Sequence, residues 1–223
     1  VHADSPYVAF SDASRGSKIT VMKHRYLVGW EDYALPGFSD GAATSIAFTV
    51  DTDTGIPYAA YRDWENGYRL TVKKEEGGAW VNVGNPGFSA GGVEYASLVF
   101  ENNILYAAYM DAANGNRLTV EKYEAGSWAA VGGRGVSAGT AEYVSLAVRN
   151  GVISAAFKDG ANGGRAVVMK YDGASWNLFA IVSDGEASYV KLFIDPLTGK
   201  PYVSFKDATA GGKATVAYYE GAY

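Results

Sequence analysis

The stretch Leu105-Tyr-Ala-Ala-Tyr-Met-Asp111, followed across a turn containing Gly115 by Arg117-Leu-Thr-Val-Glu-Lys-Tyr123 and then by Trp128, decides the fold. Both runs are short and rich in β-branched and aromatic residues, and Gly and Asn punctuate them, which predicts two strands joined by a tight turn. The first run recurs as Pro6-Tyr-Val-Ala-Phe-Ser-Asp12, Pro57-Tyr-Ala-Ala-Tyr-Arg-Asp63, Ile153-Ser-Ala-Ala-Phe-Lys-Asp159 and Pro201-Tyr-Val-Ser-Phe-Lys-Asp207. Successive copies are 51, 48, 48 and 48 residues apart. A fixed period of this size marks a repeat architecture.

Working outward from the quoted stretch, a third strand begins at Trp30, Trp80, Trp128 and Trp176. A Gly-rich connection follows, Pro86-Gly-Phe-Ser-Ala-Gly91 being the fullest, and then a fourth strand such as Tyr143-Val-Ser-Leu-Ala-Val148. Four short strands per period with no helical periodicity predict one blade of a β-propeller. The reading is all-β: a five-bladed β-propeller forming one domain over 1–223, with repeats at about 1–41, 42–91, 92–139, 140–185 and 186–223. The strand order makes the first and last blades incomplete, three-stranded blades, and their open edges invite self-association or a protein partner.

The layout resembles the repeats of bacterial extracellular β-propeller proteins and, more loosely, NHL-like blades. Ser145-Leu-Ala147, Pro201-Tyr-Val203, Asp111, Arg117, Lys122, Trp128 and Phe88-Ser-Ala-Gly91 carry the resemblance. Copies one and four depart from it at Leu35-Pro-Gly37 and Phe179-Ala-Ile-Val182. The resemblance implies a propeller fold and an extracellular or cell-surface location, and it implies no reaction. The small-x-small run Val1-His2-Ala3 has the form of a signal-peptidase site and fits export.

Composition narrows the chemistry. Zero cysteines among 223 residues exclude disulfides, thiolate metal sites and a cysteine nucleophile. With 19 Lys and Arg against 24 Asp and Glu the net charge is −5, the wrong sign for binding nucleic acid. No apolar run approaches the roughly 20 residues that span a bilayer, so membrane insertion is not expected. His2 falls at the chain tip and His24 at a strand end, and no G-x-S-x-G elbow accompanies them.

The five terminal Asp residues each precede a basic residue by six positions, giving the pairs Asp12 and Lys18, Asp63 and Arg69, Asp111 and Arg117, Asp159 and Arg165, and Asp207 and Lys213. These are expected to be structural, the carboxylate capping the turn while pairing with the cation. One carboxylate per turn falls far short of a calcium site, so neither metal nor cofactor is expected. No inward-facing pair of acids suits a glycosidase, and no catalytic residue is assigned. The inner strands offer Ser45, Ser97, Ser145 and Lys191 as a hydroxylated lining.

A binding role is the better reading. The connection into the inner strand repeats an acidic and aromatic set, Glu94 with Tyr95, Glu142 with Tyr143, and Glu186 with Tyr189. Aromatic faces beside carboxylates suit a sugar, whose C–H faces stack while its hydroxyls need hydrogen-bond partners. Trp64 breaks the repeat at a turn tip where other copies carry Ala or Gly, and is a further candidate contact. The expected partner is a glycan or cell-surface polysaccharide held by a lectin-like adhesion module, the alternatives being a protein-binding scaffold and a five-bladed glycoside hydrolase.

Overall fold

The computed structural model describes residues 5–218; His2 and the run Val1-His2-Ala3 lie outside the described residues. Seventeen strands follow one another: β1 (Tyr7–Asp12), β2 (Lys18–Arg25), β3 (Gly29–Asp32), β4 (Ala43–Val50), β5 (Pro57–Asp63), β6 (Arg69–Glu76), β7 (Ala79–Asn82), β8 (Val93–Glu101), β9 (Ile104–Asp111), β10 (Arg117–Glu124), β11 (Ser127–Ala130), β12 (Ala141–Arg149), β13 (Val152–Asp159), β14 (Arg165–Tyr171), β15 (Trp176–Ile194), β16 (Pro201–Asp207) and β17 (Lys213–Tyr218). The fold is all-β, and the helical content of the described residues is three single 3₁₀ turns. Each sheet is a meander in chain order: β1 to β3, β4 to β7, β8 to β11, and a six-stranded β12 to β17. Among the described residues no helix is long and apolar enough to cross a membrane.

The six-stranded sheet arises because β15 serves two neighbours. Its first half pairs with β14 (Tyr171 opposite Trp176, Val167 opposite Ile181), and its second half pairs with β16 (Ala187 opposite Asp207, Ile194 opposite Pro201). The second and third copies break between their last strand and the next first strand at Gly84-Asn-Pro-Gly87 and Gly132-Gly133. The fourth has the apolar run Phe179-Ala-Ile-Val182 there instead, and the chain stays extended through it.

The chain divides into two compact units, one comprising residues up to Tyr106 with Lys122–Ala129, the other Ala107–Glu121 with Ala130 onward. In the first, Ile19, Val21, Phe38, Ala43, Ala59, Tyr61 and Trp80 form a buried cluster. Ala59, Ala60 and Tyr61 are all fully buried, so both faces of β5 are covered and the Ala-Ala pair leaves room for the layers against it. In the second unit Ala156, Ala166, Val168, Val190, Leu192, Val203 and Phe205 play the same part.

Two devices recur in the units, the first between consecutive repeats and the second within each. The Trp80 ring stacks on Phe38 at 4.1 Å and the Trp128 ring on Phe88 at 4.3 Å. The Trp128 and Trp176 indole N–H groups donate to the carbonyls of Val83 and Val131 at 2.8 and 2.7 Å. Gly84 and Gly132 follow those valines at positive φ, and a Cβ on either would lie within 3 Å of the tryptophan ring, so the Val-Gly pair offers both the acceptor and the room. In the first copy Ala34 replaces that glycine, and the Trp80 indole N–H is buried without a partner among the described residues.

The second device is the serine of each Gly-rich connection. The Oγ atoms of Ser39, Ser89, Ser137 and Ser183 accept from the backbone N–H of Ile19, Leu70, Leu118 and Ala166 at 2.8 to 3.1 Å. Each donates to the carbonyl two residues on, at Gly41, Gly91, Gly139 and Gly185. All four serines are buried, so each hydroxyl satisfies two backbone groups that water cannot reach.

Candidate functional site

The five repeated acidic residues lie at strand ends and are engaged by their own turns. Asp63 accepts from the Glu65 N–H at 3.2 Å, from Asn66 Nδ2 at 2.9 Å and from the Thr71 hydroxyl at 2.7 Å. Asp111 repeats the set with Ala113, Asn114 and Thr119, and Asp207 with Thr209 and Thr215. Asp12 takes Ser14 and Thr20, and Asp159 takes Ala161 and Asn162. Hydrogen bonds from these hydroxyls and turn N–H groups hold the Asp12 and Asp207 carboxyls below the usual range.

The expected cation pairing is corrected here. Asp12 faces Lys18, Asp63 faces Arg69, Asp159 faces Arg165 and Asp207 faces Lys213 in the strand register. Among the described residues, however, none of the five carboxylates pairs with the basic residue six positions on, Asp111 and Arg117 included. In four copies the carboxylate turns to the Thr two positions beyond that cation, whose hydroxyl can be buried at little cost; in the fourth, Val167 stands there, Asp159 is held by Ala161 and Asn162, and the Arg165 Nε–H donates to the Asn162 carbonyl. The lining expected of the inner strands is also altered. The Ser145 hydroxyl is buried and accepts from the Leu192 N–H at 2.9 Å, and Ser45 donates to Glu94 at 3.4 Å.

The three tyrosines expected to bind ligand share one backbone peculiarity with Ser45. Ser45, Tyr95, Tyr143 and Tyr189 occupy equivalent positions at β-bulges and all have φ between 47° and 54°. Left-handed backbone is costly for a bulky side chain, and a bulge re-aims the residue that carries it. In the second unit this brings the Tyr143 and Tyr189 rings to 5.1 Å. In the same unit Lys158 reaches Glu186 at 2.6 Å and Glu142, the neighbour of Tyr143 in the chain, at 3.5 Å. Its hydrogen bond to Glu186 lowers that carboxyl and raises the lysine. Glu186 is not the counterpart of Glu94 and Glu142. Ser188 holds that register position opposite Lys206, just as Glu142 lies opposite Lys158, and the Glu186 carboxylate reaches the same lysine from two residues earlier.

The first unit assembles a different cluster. Arg62 on β5 pairs with Glu94 on β8 at 3.2 Å. Its guanidinium lies 4.3 Å from the centre of the Tyr68 ring, and Trp64 meets that ring edge-on at 5.0 Å. Trp64 is 58% exposed and Tyr68 36% exposed. Tyr68, at φ 63°, occupies a left-handed position held by Ser17, Asn116, Gly164 and Gly212 in the other copies. Thus one turn, Trp64-Glu-Asn-Gly-Tyr68, carries two aromatic departures from the repeat, and they touch. Buried Arg62 Nε has no hydrogen-bond partner among the described residues. The sequence singles out Trp64 and Glu94 and offers Tyr68 as a packing partner of Trp64, a contact the structure contains, but it does not point to Arg62; the signal that marks the turn is that Trp64 and Tyr68 break the repeat together.

Among the described residues no group of three or more His, Asp or Glu side chains is close enough to hold a metal ion. The carboxyls whose acidity is resolved as displaced (Asp12, Asp172, Glu186, Asp195 and Asp207) are all held low, mainly by hydrogen bonds. They are ionised acceptors at neutral pH. His24, the described histidine, packs edge-on to Trp30 at 5.4 Å.

No protein-family model and no curated protein sequence matches the chain. Solved structures do resemble it. A triple Arg-to-Ala mutant of AofleA from Arthrobotrys oligospora aligns over 97% of this chain and 66% of its own, at TM-score 0.70 and 12% identity. A mutant of the Aleuria aurantia lectin in complex with Fucα1-6GlcNAc aligns over 99% and 77%, at TM-score 0.63 and 16% identity. The exo-β-1,3-galactanase 1,3Gal43A from Clostridium thermocellum aligns over 98% and 57%, at TM-score 0.53 and 13% identity. At these identities the likeness is one of fold: the chain is all-β, and its structural neighbours include β-propeller lectins and glycoside hydrolases.

Proposed function

We propose that the chain is a carbohydrate-binding, five-bladed β-propeller with three-stranded first and last blades, working as a lectin-like adhesion module outside the cell or at its surface. The observation that carries this reading is the cluster of Trp64, Tyr68, Arg62 and Glu94. An exposed indole and phenol offer apolar faces to sugar C–H groups, and the fixed guanidinium and carboxylate beside them offer donors and acceptors to hydroxyls. The Tyr143, Tyr189, Glu142, Glu186 and Lys158 group is a second contact of the same chemistry. Two weak sites on one chain raise avidity against a multivalent glycan surface. The fold likeness to a lectin solved with a fucosylated disaccharide favours the same ligand class.

Binding is favoured over bond cleavage because the carboxylates of both clusters are paired with cations. A general acid requires a carboxyl whose pKa is raised instead. The test is a glycan array run with the wild-type chain, Trp64→Ala and Arg62→Ala, with and without calcium. A selective signal that falls at least tenfold in both variants, independent of calcium, is expected. A blank array for the wild type would overturn the reading in favour of a protein-docking scaffold, and release of new reducing ends from a retained glycan would overturn it in favour of a hydrolase.

A further inference from the structure

A different part of the first unit holds a cleft that the proposed binding cluster does not use. Its volume is about 390 Å³, and Tyr58, Phe100, Tyr123, Lys74, Asn82 and Asn103 line it above a floor that includes Val83. Three residues after its Trp the repeat carries Val, as at Val83 and again at Val131, and the first copy departs from it with Tyr33. The equivalent groove between the first two copies is built from Tyr7, Phe48, Lys23 and Glu75, and Tyr33 fills it. Tyr33 stands edge-on to Tyr7 at 5.3 Å, its hydroxyl is 3.4 Å from Glu75, and the Lys23 ammonium lies over both rings. Val83 replaces Tyr33 in the next groove, three residues after its own Trp. Lys74, the counterpart of Lys23, is left without that ring and pairs with Glu76 at 3.3 Å.

What remains is a platform of chemical character. The Tyr58 and Phe100 rings stack at 5.2 Å with 21° between their planes. Asn82 at the end of β7 and Asn103 in the β8–β9 turn place primary amides at the rim, and Tyr123 adds a phenol. The nearby acids are already committed, Asp51 to its own turn through the Asp53 N–H and the Thr54 hydroxyl, and Glu76 to Lys74. An aromatic face flanked by neutral amides, with Lys74 paired to Glu76 and Asp51 hydrogen-bonded within its own turn, fits an uncharged ring bearing hydroxyls and C–H faces. Its volume is at the lower end of the usual range for small-molecule sites.

We infer that the Tyr58, Phe100, Asn82 and Asn103 cleft is a further ligand site, separate from the Trp64 cluster and from the Tyr143 and Tyr189 group, that accepts one neutral pyranose residue, and that the small Val83 side chain leaves room for it. The experiment is a titration of the full chain with methyl pyranosides of the gluco, galacto, manno and fuco series, followed by NMR of the Tyr58 and Phe100 ring protons. At least one sugar is expected to shift both rings saturably at millimolar concentration. Val83→Tyr, which rebuilds the filling seen with Tyr33, should abolish the shift. The double variant Asn82→Ala, Asn103→Gly, which removes both amides while Gly keeps the left-handed turn at position 103, should weaken it at least tenfold. Trp64→Ala should leave it unchanged, so failure at the Trp64 cluster and failure here are separable. The inference is overturned if no sugar moves these protons, if the shifts survive Val83→Tyr in a folded protein, or if they are lost with Trp64.

Discussion

Replacing Ser89 by Ala removes one oxygen and leaves two buried backbone groups without partners. The Ser89 hydroxyl accepts from the Leu70 N–H at 2.9 Å and donates to the Gly91 carbonyl at 2.7 Å, with Ser89 1% exposed and Leu70 fully buried. A buried donor or acceptor left unsatisfied costs about 1 to 3 kcal/mol. Two of them, partly relaxed, should therefore cost about 2 to 4 kcal/mol. In a chain of this length each kcal/mol lowers the melting temperature by about 2 to 4 °C, so a fall of about 4 to 16 °C is expected by calorimetry. The Leu70 amide should also exchange with solvent faster by a factor that matches the calorimetric loss. Ser127→Ala, at an exposed position, is the control and should stay within about 0.5 kcal/mol of the wild type. A Ser89→Ala variant as stable as that control would refute the claim that these serines tie the Gly-rich connections to the sheets.

Three further outcomes follow from the same structure. Tyr61→Phe should raise stability by about 1 to 2 kcal/mol in urea unfolding, because the Tyr61 hydroxyl is buried without a partner among the described residues and Phe157 and Phe205 already occupy the equivalent positions; a loss would mean the hydroxyl has an acceptor. Burial, with Glu75 and Tyr7 adding to it, raises the Tyr33 phenol to about 12. The folded pKa lies above the unfolded value near 10, so this contribution is complete below pH 10 and is lost as pH rises towards 12. The wild type should therefore lose its stability advantage over Tyr33→Phe across that window in urea titrations, and parallel curves would contradict the assignment. Lys158→Met should remove the shared cation of Glu142 and Glu186 and raise the Glu186 carboxyl towards its ordinary value, observable by NMR titration of its side-chain carbon.

Strand order was legible because each copy repeats the same alternation and the same turn residues, and Asp63, Asp111 and Asp159 end strands as their positions imply. Partner choice was not. Asp63 and Arg69 face each other in register, yet side-chain burial, which a linear pattern does not display, sends the carboxylate to Thr71. The continuous β15 was hidden for a related reason: three copies break where the fourth does not, and an apolar run can be read as either connection or strand. At the candidate site Trp64 stood out as a lone departure, while Tyr68 and Arg62 gained meaning once the turn brought ring, ring and guanidinium together. The alignment of copies shows Tyr33 as the exception to Val83 and Val131, but only the groove that Tyr33 fills shows what the smaller Val83 side chain leaves vacant.

The central claim is that the Trp64 turn contacts sugar, and indole N–H resonances test it directly because the chain has five tryptophans in distinct settings. Trp128 and Trp176 are held by carbonyls, Trp80 is buried, and Trp30 and Trp64 are exposed. On titration with the glycan bound best on the array, or with methyl α-L-fucoside where the array hit carries fucose, the account predicts a saturable shift of the Trp64 indole while those of Trp80, Trp128 and Trp176 stay fixed. A bound glycan that leaves the Trp64 resonance in place, or moves Trp30 alone, would contradict it.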